Sequence, residues 1–377
     1  MGATGHCGSQ TAGEGFVSEW ELKTLDDVVE LRRGFDLPHH SRRPGHYPVL
    51  TSGATAGWHD EGPVKGPGLA IGRATNLGEP TWSDVDFWPL NTTLYAADFR
   101  GNAPKWVYHL FESLDLTGYD SGSVQPMLNR NYIAKVKVGV PPLLEQQAIA
   151  EVLGAIDNKV AANSTMVEGA DELSQTLFRS IGRESVPIPL STSARFVNGR
   201  AFTKGASGTG RVVIRIAELN SGVGGSTVYS DAEVGEDFLA RPGDILFAWS
   251  GSLTLHRWFR REGIVNQHIF KVIPKGYPSW LIYELLRERL PHFKGIAADK
   301  ATTMGHIQKR HLDESVDVPS RSAIGRMDAL MTSLWERTLL AERENESLAT
   351  ARDALLPQLM SGKLRVRDAE KVLEGVL

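Results

Sequence analysis

The sequence predicts an α+β protein: two similar mixed α/β globules separated by two long helices that form an antiparallel coiled coil. Three observations predict it. Two stretches carry apolar residues at heptad spacing. The sequence before each stretch is rich in Gly, Pro and short apolar runs. The two halves of the chain also repeat one another, displaced by about half its length.

The repeat is a series of weak matches in one order. SVQPMLNRNYIAKVKVGVP, Ser123 to Pro141, parallels TTMGHIQKRHLDESVDVP, Thr302 to Pro319. PLNTTLY, Pro89 to Tyr95, parallels IVNQHIF, Ile264 to Phe270. GPGLAIGRA, Gly66 to Ala74, parallels PGDILFAWS, Pro242 to Ser250. Trp82 falls against Trp258, and LSQTLFRS, from Leu173, against LLPQLMSG, from Leu355. Their shared order and nearly constant offset make the repeat unit half a chain.

The domain plan follows: a Gly/Ser/Thr-rich tail over 1–16, expected to be disordered; a globule over 17–140; a long helix within 141–182; a second globule over 183–320; and a second long helix with its tail over 321–377. In the first helix Ile149, Ile156, Asn163, Ala170 and Leu177 recur every seven residues. Leu153, Val160, Val167, Ser174 and Ile181 fill the other core position. Pro141 and Pro142 suit its start. In the second, Ile324, Met331, Thr338, Asn345, Arg352 and Leu359 alternate with Met327, Leu334, Ala341, Leu348 and Leu355. Pro357 is expected to kink or end it a turn early, and Gly362 to stop it. Each helix would be roughly 58 Å long. Alone, each would leave a long apolar stripe in water, so the two seams are expected to bury each other. Asn163 and Asn345 interrupt the seams, where an Asn costs stability and fixes register, and they are expected to meet.

In the globules, HYPVLTSG (His46 to Gly53), GLAIGRA (Gly68 to Ala74), RVVIRIAEL (Arg211 to Leu219) and DILFAWSG (Asp244 to Gly251) read as strands. APKWVYHLFESL (Ala103 to Leu114) and SWLIYELLRERL (Ser279 to Leu290) read as amphipathic helices. Asp26 and Asp27 suit a helix start.

Charge and chemistry narrow the function. Lys and Arg number 41 against 45 Asp and Glu, so no dominant basic field exists. Residues 1–140 carry 12 basic against 16 acidic side chains, and residues 183–320 carry 18 against 14. One cysteine, Cys7, excludes an internal disulfide and a Cys-based zinc site, and favours a reducing cytoplasm. No stretch approaches a membrane span, and the start lacks the pattern of a signal peptide. There is no P-loop, G-x-G-x-x-G after a strand, H-E-x-x-H or nucleophile elbow. No Asn-Pro-Pro-aromatic or Asp-Pro-Pro-aromatic motif marks an amino-methyltransferase. His39, His40, His306 and His311 lack companion ligands and read as surface or loop residues, so neither a metal nor a cofactor is expected in this chain. What remains are polar loops combining Arg or Lys with Asn, Gln, Ser and Thr, the side chains that pair with phosphates and base edges. Taken singly, each loop reads as an ordinary solvated turn.

The run VPPLLEQQAIAEVLGAIDNKVAANSTMVEGADELSQTLFRS resembles the central conserved region of specificity (S) subunits of type I restriction–modification systems. ARDALLPQLMSGKLRV resembles that family's C-terminal conserved region. GSVQPMLNRNYIAKVKVGVP and TMGHIQKRHLDESVDVP are similar to the ends of its two target-recognition domains. In the second copy PPLLEQQ is replaced by PSRSAIG. The resemblance implies a non-catalytic subunit with two target-recognition domains, each reading half of a split, asymmetric site in double-stranded DNA. It implies a helical pair that sets the distance between halves and docks methyltransferase (M) subunits. Those partners would carry S-adenosylmethionine and methylate adenine in phage defence, and restriction (R) subunits could join them. Residue type and paired position in the repeat nominate Arg73, Asn76, Ser123, Gln125 and Asn129 in the first domain as DNA contacts. Arg200, Lys204, Ser250, Ser252, Gln308 and Lys309 are nominated in the second. The alternative is an adaptor that holds protein partners and binds no DNA.

Overall fold

A computed structural model describes residues 20–119, 127–182, 185–299 and 305–375. The expected tail over 1–16, and with it Cys7, lies outside the described residues. Two compact units make up the chain: Met1–Asp157 with Thr350–Leu377, and Asn158–Ala349.

The elements of the first half are β1 (Glu21–Thr24), α1 (Leu25–Val28), β2 (Glu30–Arg33), β3 (Tyr47–Thr51), β4 (Ala54–His59), β5 (Gly68–Gly72), β6 (Pro80–Ser83), β7 (Trp88–Pro89), β8 (Thr93–Asp98), α2 (Pro104–Ser113), α3 (Arg130–Ile133), β9 (Lys137–Val140) and α4 (Leu143–Ile181). Those of the second half are β10 (Ser185–Pro189), α5 (Leu190–Ser193), β11 (Ala194–Asn198), β12 (Arg211–Ile214), α6 (Ile216–Ser221), β13 (Tyr229–Ser230), β14 (Leu239–Ala240), β15 (Ile245–Ala248), β16 (Thr254–Arg257), β17 (Gly263–Val265), β18 (Ile269–Pro274), α7 (Ser279–Asp299), β19 (Ser315–Pro319), α8 (Arg321–Met360) and α9 (Val366–Glu374).

The repeat is visible in the topology. In unit 1 the main sheet has the order β2-β8-β5-β6, and in unit 2 β11-β18-β15-β16. A second sheet runs β4-β3-β7 in unit 1 and β13-β12-β17-β14 in unit 2, each with one parallel pair, β3 with β7 and β12 with β17. A two-stranded antiparallel ribbon closes each unit: β1 with β9, and β10 with β19. The core of each unit lies under its main sheet. Trp106, Val107, Leu110 and Phe111 of α2 are buried in unit 1, and Trp280, Leu281, Ile282, Leu285 and Leu286 of α7 in unit 2.

Helix α4 has 39 residues and α8 has 40. In unit 1 Ile149, Leu153 and Ile156 are buried, as are Leu355 and Leu359. In unit 2 Asn163, Ala170 and Ser174 are buried, as are Met331, Thr338 and Ala341. The Asn163 amide donates to Asn345 Oδ1 at 3.0 Å and to Glu344 Oε2 at 2.8 Å. Asn345 in turn donates to Ser164 Oγ at 3.2 Å.

Polar anchors fasten the helices within each unit. Gln146, of the EQQ run, is buried. Its Oε1 accepts from the Ala103 amide that precedes α2, and its Nε2 donates to Asn102 Oδ1 and the Pro141 carbonyl, all at 2.9 Å. In the second copy this place falls to Ile324, also buried. Arg352, at a seam position of α8, donates to both Glu112 oxygens at 2.6 Å and to Asp157 at 2.5 Å. In unit 2 the buried Arg257 donates to Glu342 at 3.0 and 3.3 Å, lies 3.6 Å from Asp171 and covers the Trp335 ring.

Three local expectations are corrected. Helix α8 does not end before Pro357 but runs to Met360. Proline forfeits one backbone bond, but buried Leu355, Leu356, Leu359 and Met360 hold the last turn, and Gly362 (φ 70°) then ends it. Helix α7 likewise passes Pro291, with Phe293 and Ala297 buried beyond it. RVVIRIAEL is a strand only to Ile214. The buried Glu218 accepts from the Arg215 amide and guanidinium at 3.0 Å, which caps α6 and turns the remainder into helix.

Candidate nucleic-acid interface

The two units build the same frame at the end of the third strand of the main-sheet order. In unit 1 the residue after β5 is Arg73, and its carbonyl accepts the Leu128 amide at 2.8 Å. In unit 2 the residue after β15 is Trp249, and its carbonyl accepts the Ile307 amide at 3.1 Å. Leu128 and Ile307 are buried pegs. Asn129 follows Leu128 and caps α3, its Oδ1 accepting the Asn131 amide at 3.0 Å. Gln308 follows Ile307 and opens a 3₁₀ turn over Lys309–Asp313, its amide donating to His311 Nδ1 at 3.1 Å. Each unit thus presents a strand end beside a returning polar loop.

In unit 1 this frame borders an open cavity of about 360 Å³ lined by Arg33, Arg73, Leu94, Asn129, Arg130 and Asn131, among others. Arg130 is steadied by a 3.1 Å hydrogen bond to the Leu31 carbonyl. Some other cations of the unit are matched: Arg32 by Glu30, Arg43 by Asp60 and Glu61, Lys65 by Asp86. Among the described residues no carboxylate pairs with Arg33, Arg73 or Arg130. Burial, and then the neighbouring Arg33 charge, push the Arg73 guanidinium below its ordinary value.

Of the residues the sequence nominates in this unit, the fold brings Arg73 and Asn129 to one cavity. Asn76 is placed in the turn after β5, in the left-handed region (φ 45°), and its amide donates to the Ser52 carbonyl at 3.3 Å. Ser123 and Gln125 lie outside the described residues. Arg33, Arg130 and Asn131 were not nominated. Arg130 and Asn131 directly follow Asn129, a signal that could have found them. Arg33 reaches the cavity only because β2 pairs with β8.

In unit 2, Arg200 is exposed, with its guanidinium 4.7 Å above the Phe238 ring. Lys204 is exposed on the same loop, where Phe202 packs edge-on against Phe238 at 5.6 Å. Ser250 is buried and bridges to His306, while Ser252 is exposed. Gln308 and Lys309 are exposed. The Trp249 ring, missed in the nominations, stands 5.3 Å from His268 and 6.4 Å from His306, and its Nε1 donates to Asn198 Oδ1 at 2.8 Å. His311 lies in the 3₁₀ turn after Gln308 but is buried, not at the surface, its Nδ1 accepting the Gln308 amide.

Residues 17–166 match the family model described as the type I restriction modification DNA specificity domain. This segment of the chain is similar to that specificity domain. The specificity subunit of the type I restriction enzyme EcoprrI from Escherichia coli is 26% identical over 145 residues, 37% of this chain. That match spans 36% of the relative's length. The crystal structure of the type I restriction-modification S subunit from M. genitalium has the same fold, with a TM-score of 0.67 at 15% identity over 92% of this chain and 97% of that one. The specificity-domain match covers the first segment of unit 1 and runs past the midpoint of α4, to residue 166. Unit 2 lies mostly beyond it, and its kinship to unit 1 rests on the repeated strand order. Among the described residues no helix is long and apolar enough to cross a membrane, and no three His, Cys, Asp or Glu side chains converge as a metal site would need.

Proposed function

We propose that this chain is the DNA-recognition subunit of a type I restriction–modification complex. Each unit reads one half of a bipartite, asymmetric site in duplex DNA. One observation carries the reading: two units of one topology, each presenting at the same strand end a polar loop whose side chains suit phosphates and base edges. In unit 1 those groups include arginines without a carboxylate partner among the described residues. The chain itself is non-catalytic and cytoplasmic. Methyltransferase subunits carrying S-adenosylmethionine dock on α4 and α8 and methylate adenine, and restriction subunits join where the system cleaves. The helix pair sets the number of unread base pairs between half-sites, with the Asn163–Asn345 contact fixing its register. Arg73, Asn76, Ser123, Gln125 and Asn129 contact DNA from unit 1, and Arg200, Lys204, Ser250, Ser252, Gln308 and Lys309 from unit 2.

Mapping methylated adenines in cells with and without this chain tests the reading. The expected result is one split motif that disappears with the chain. Replacing residues 17–140 by the corresponding segment of another family member should change one half of that motif and leave the other. A purified complex with its methyltransferase subunits that retains no DNA sequence selectively would favour the adaptor instead.

A further inference from the structure

We infer that the cavity between Arg33, Arg73 and Arg130 seats one phosphate of the DNA backbone, so that this part of unit 1 positions the duplex and does not read a base. The inference rests on the DNA-recognition reading and assigns this site its ligand chemistry. Three guanidinium groups line one cavity of about 360 Å³, and among the described residues no carboxylate pairs with any of them. A guanine edge is neutral and offers two acceptors in the major groove, which one guanidinium satisfies. Three guanidinium groups overmatch a base edge. They suit an oxyanion that accepts several charge-assisted hydrogen bonds at once. Without an anion the Arg33 and Arg73 charges oppose each other, and burial adds to that cost at Arg73. Bound phosphate relieves both.

The supporting side chains are already fixed. Arg130 is tied to the Leu31 carbonyl, and Asn129 to the start of α3. The same frame in unit 2 carries Trp249 where unit 1 has Arg73, so the two units differ in chemistry at this position.

The test uses the complex of the full chain with its methyltransferase subunits. Arg73→Gln and, separately, the exposed Arg33→Gln are titrated with specific and unrelated duplexes across a salt series. Each substitution is expected to weaken both duplexes about equally, by roughly tenfold at low salt, and to reduce the salt slope by about one. The methylated motif should stay the same. Replacing single phosphates of the specific duplex by neutral methylphosphonates should reveal one position that weakens wild type and leaves Arg73→Gln unaffected. A motif relaxed at one base with an unchanged salt slope would overturn the inference in favour of base reading. So would a scan in which no phosphate is coupled to Arg73. Should Arg73→Gln fail to fold, Arg33→Gln carries the same comparison. A wild-type complex without sequence selectivity would instead sink the proposed function. The seat would then be judged with inorganic phosphate, which should raise the melting temperature of the wild-type chain and not that of Arg33→Gln. An equal rise in both would refute it.

Discussion

Units 1 and 2 share a strand order and a loop frame, yet they fill the same backbone position with opposite chemistry. After β5 stands Arg73, in a cavity whose guanidinium groups have no carboxylate partner among the described residues. After β15 stands Trp249, hydrogen-bonded to Asn198 and flanked by His268 and His306. The backbone of the frame is held by hydrogen bonds that any side chain permits, and the buried pegs Leu128 and Ile307 supply the packing. The side chain at this position can therefore differ in chemistry while the backbone frame is kept, although Trp249 also packs on the core of unit 2. A recognition domain needs that freedom.

The anchors provide the largest test of the comparison. Each unit fastens an arginine between carboxylates of different elements: Arg352 with Glu112 and Asp157 in unit 1, Arg257 with Glu342 and Asp171 in unit 2. Removing one partner strands the others, at a cost of about 3–5 kcal/mol. Arg257→Ala should lower the urea midpoint more than Arg352→Ala, because Arg257 is more deeply buried (side-chain exposure 3% against 18%). Equal midpoints would show that the two anchors are energetically alike.

Unit 2 also holds two groups whose titrations oppose each other. Burial, then the nearby Asp171 charge, raise the Glu284 carboxyl to about 7 against the attraction of Arg287. Its folded pKa exceeds the unfolded one, so its contribution is full below about pH 4.5 and is lost as pH rises through 7. Glu284→Gln should therefore stabilise the protein at pH 8, by up to about 3 kcal/mol, and change little at pH 4. Burial, with help from Arg260, lowers His256 to about 4. Its contribution is present above about pH 6.5 and is lost as pH falls through 4. His256→Phe should flatten the acid limb that Glu284→Gln leaves in place. Denaturation at pH 4, 6 and 8 separates the two, and parallel curves for wild type and Glu284→Gln would reject the raised carboxyl.

Two smaller effects sharpen the contrast. Trp249→Ala should disturb the half-motif assigned to unit 2, by about 1–3 kcal/mol of affinity, with no change in salt slope. A slope that falls as it does for Arg73→Gln would make the two frames chemically equivalent. Replacing Asn163 and Asn345 together by Leu should raise the stability of the helix pair by about 1 kcal/mol while loosening its register. Disulfide cross-linking at neighbouring seam positions reads the register, and a single unchanged pairing would show that the asparagines do not set it.

The long helices were legible because a heptad seam is a dense signal. Nearly every fourth residue over ten turns must be apolar, and Pro141, Pro142 and Gly362 mark the ends through local backbone geometry. The repeat was legible because its order survives where its residues do not. Less could be read where a distant partner decides. Pro357 looked like a stop, and the helix read over Ser279 to Leu290 ended short of Pro291, but buried residues beyond both prolines outweigh one lost hydrogen bond. The alternation in RVVIRIAEL hid the capping of α6 by Glu218. Arg73 and Asn129 could be nominated from residue type, whereas Arg33, distant in sequence, joins them only through strand pairing.

By itself, the sequence determined the two seams, the duplicated plan and the absence of familiar catalytic motifs. Local spacing and backbone preference are enough to write those down. Tertiary structure alone decided which cations lack a carboxylate partner among the described residues. Charge balance depends on which side chains meet in space, and strand pairing joins residues such as Arg33 and Arg73 that no local pattern connects.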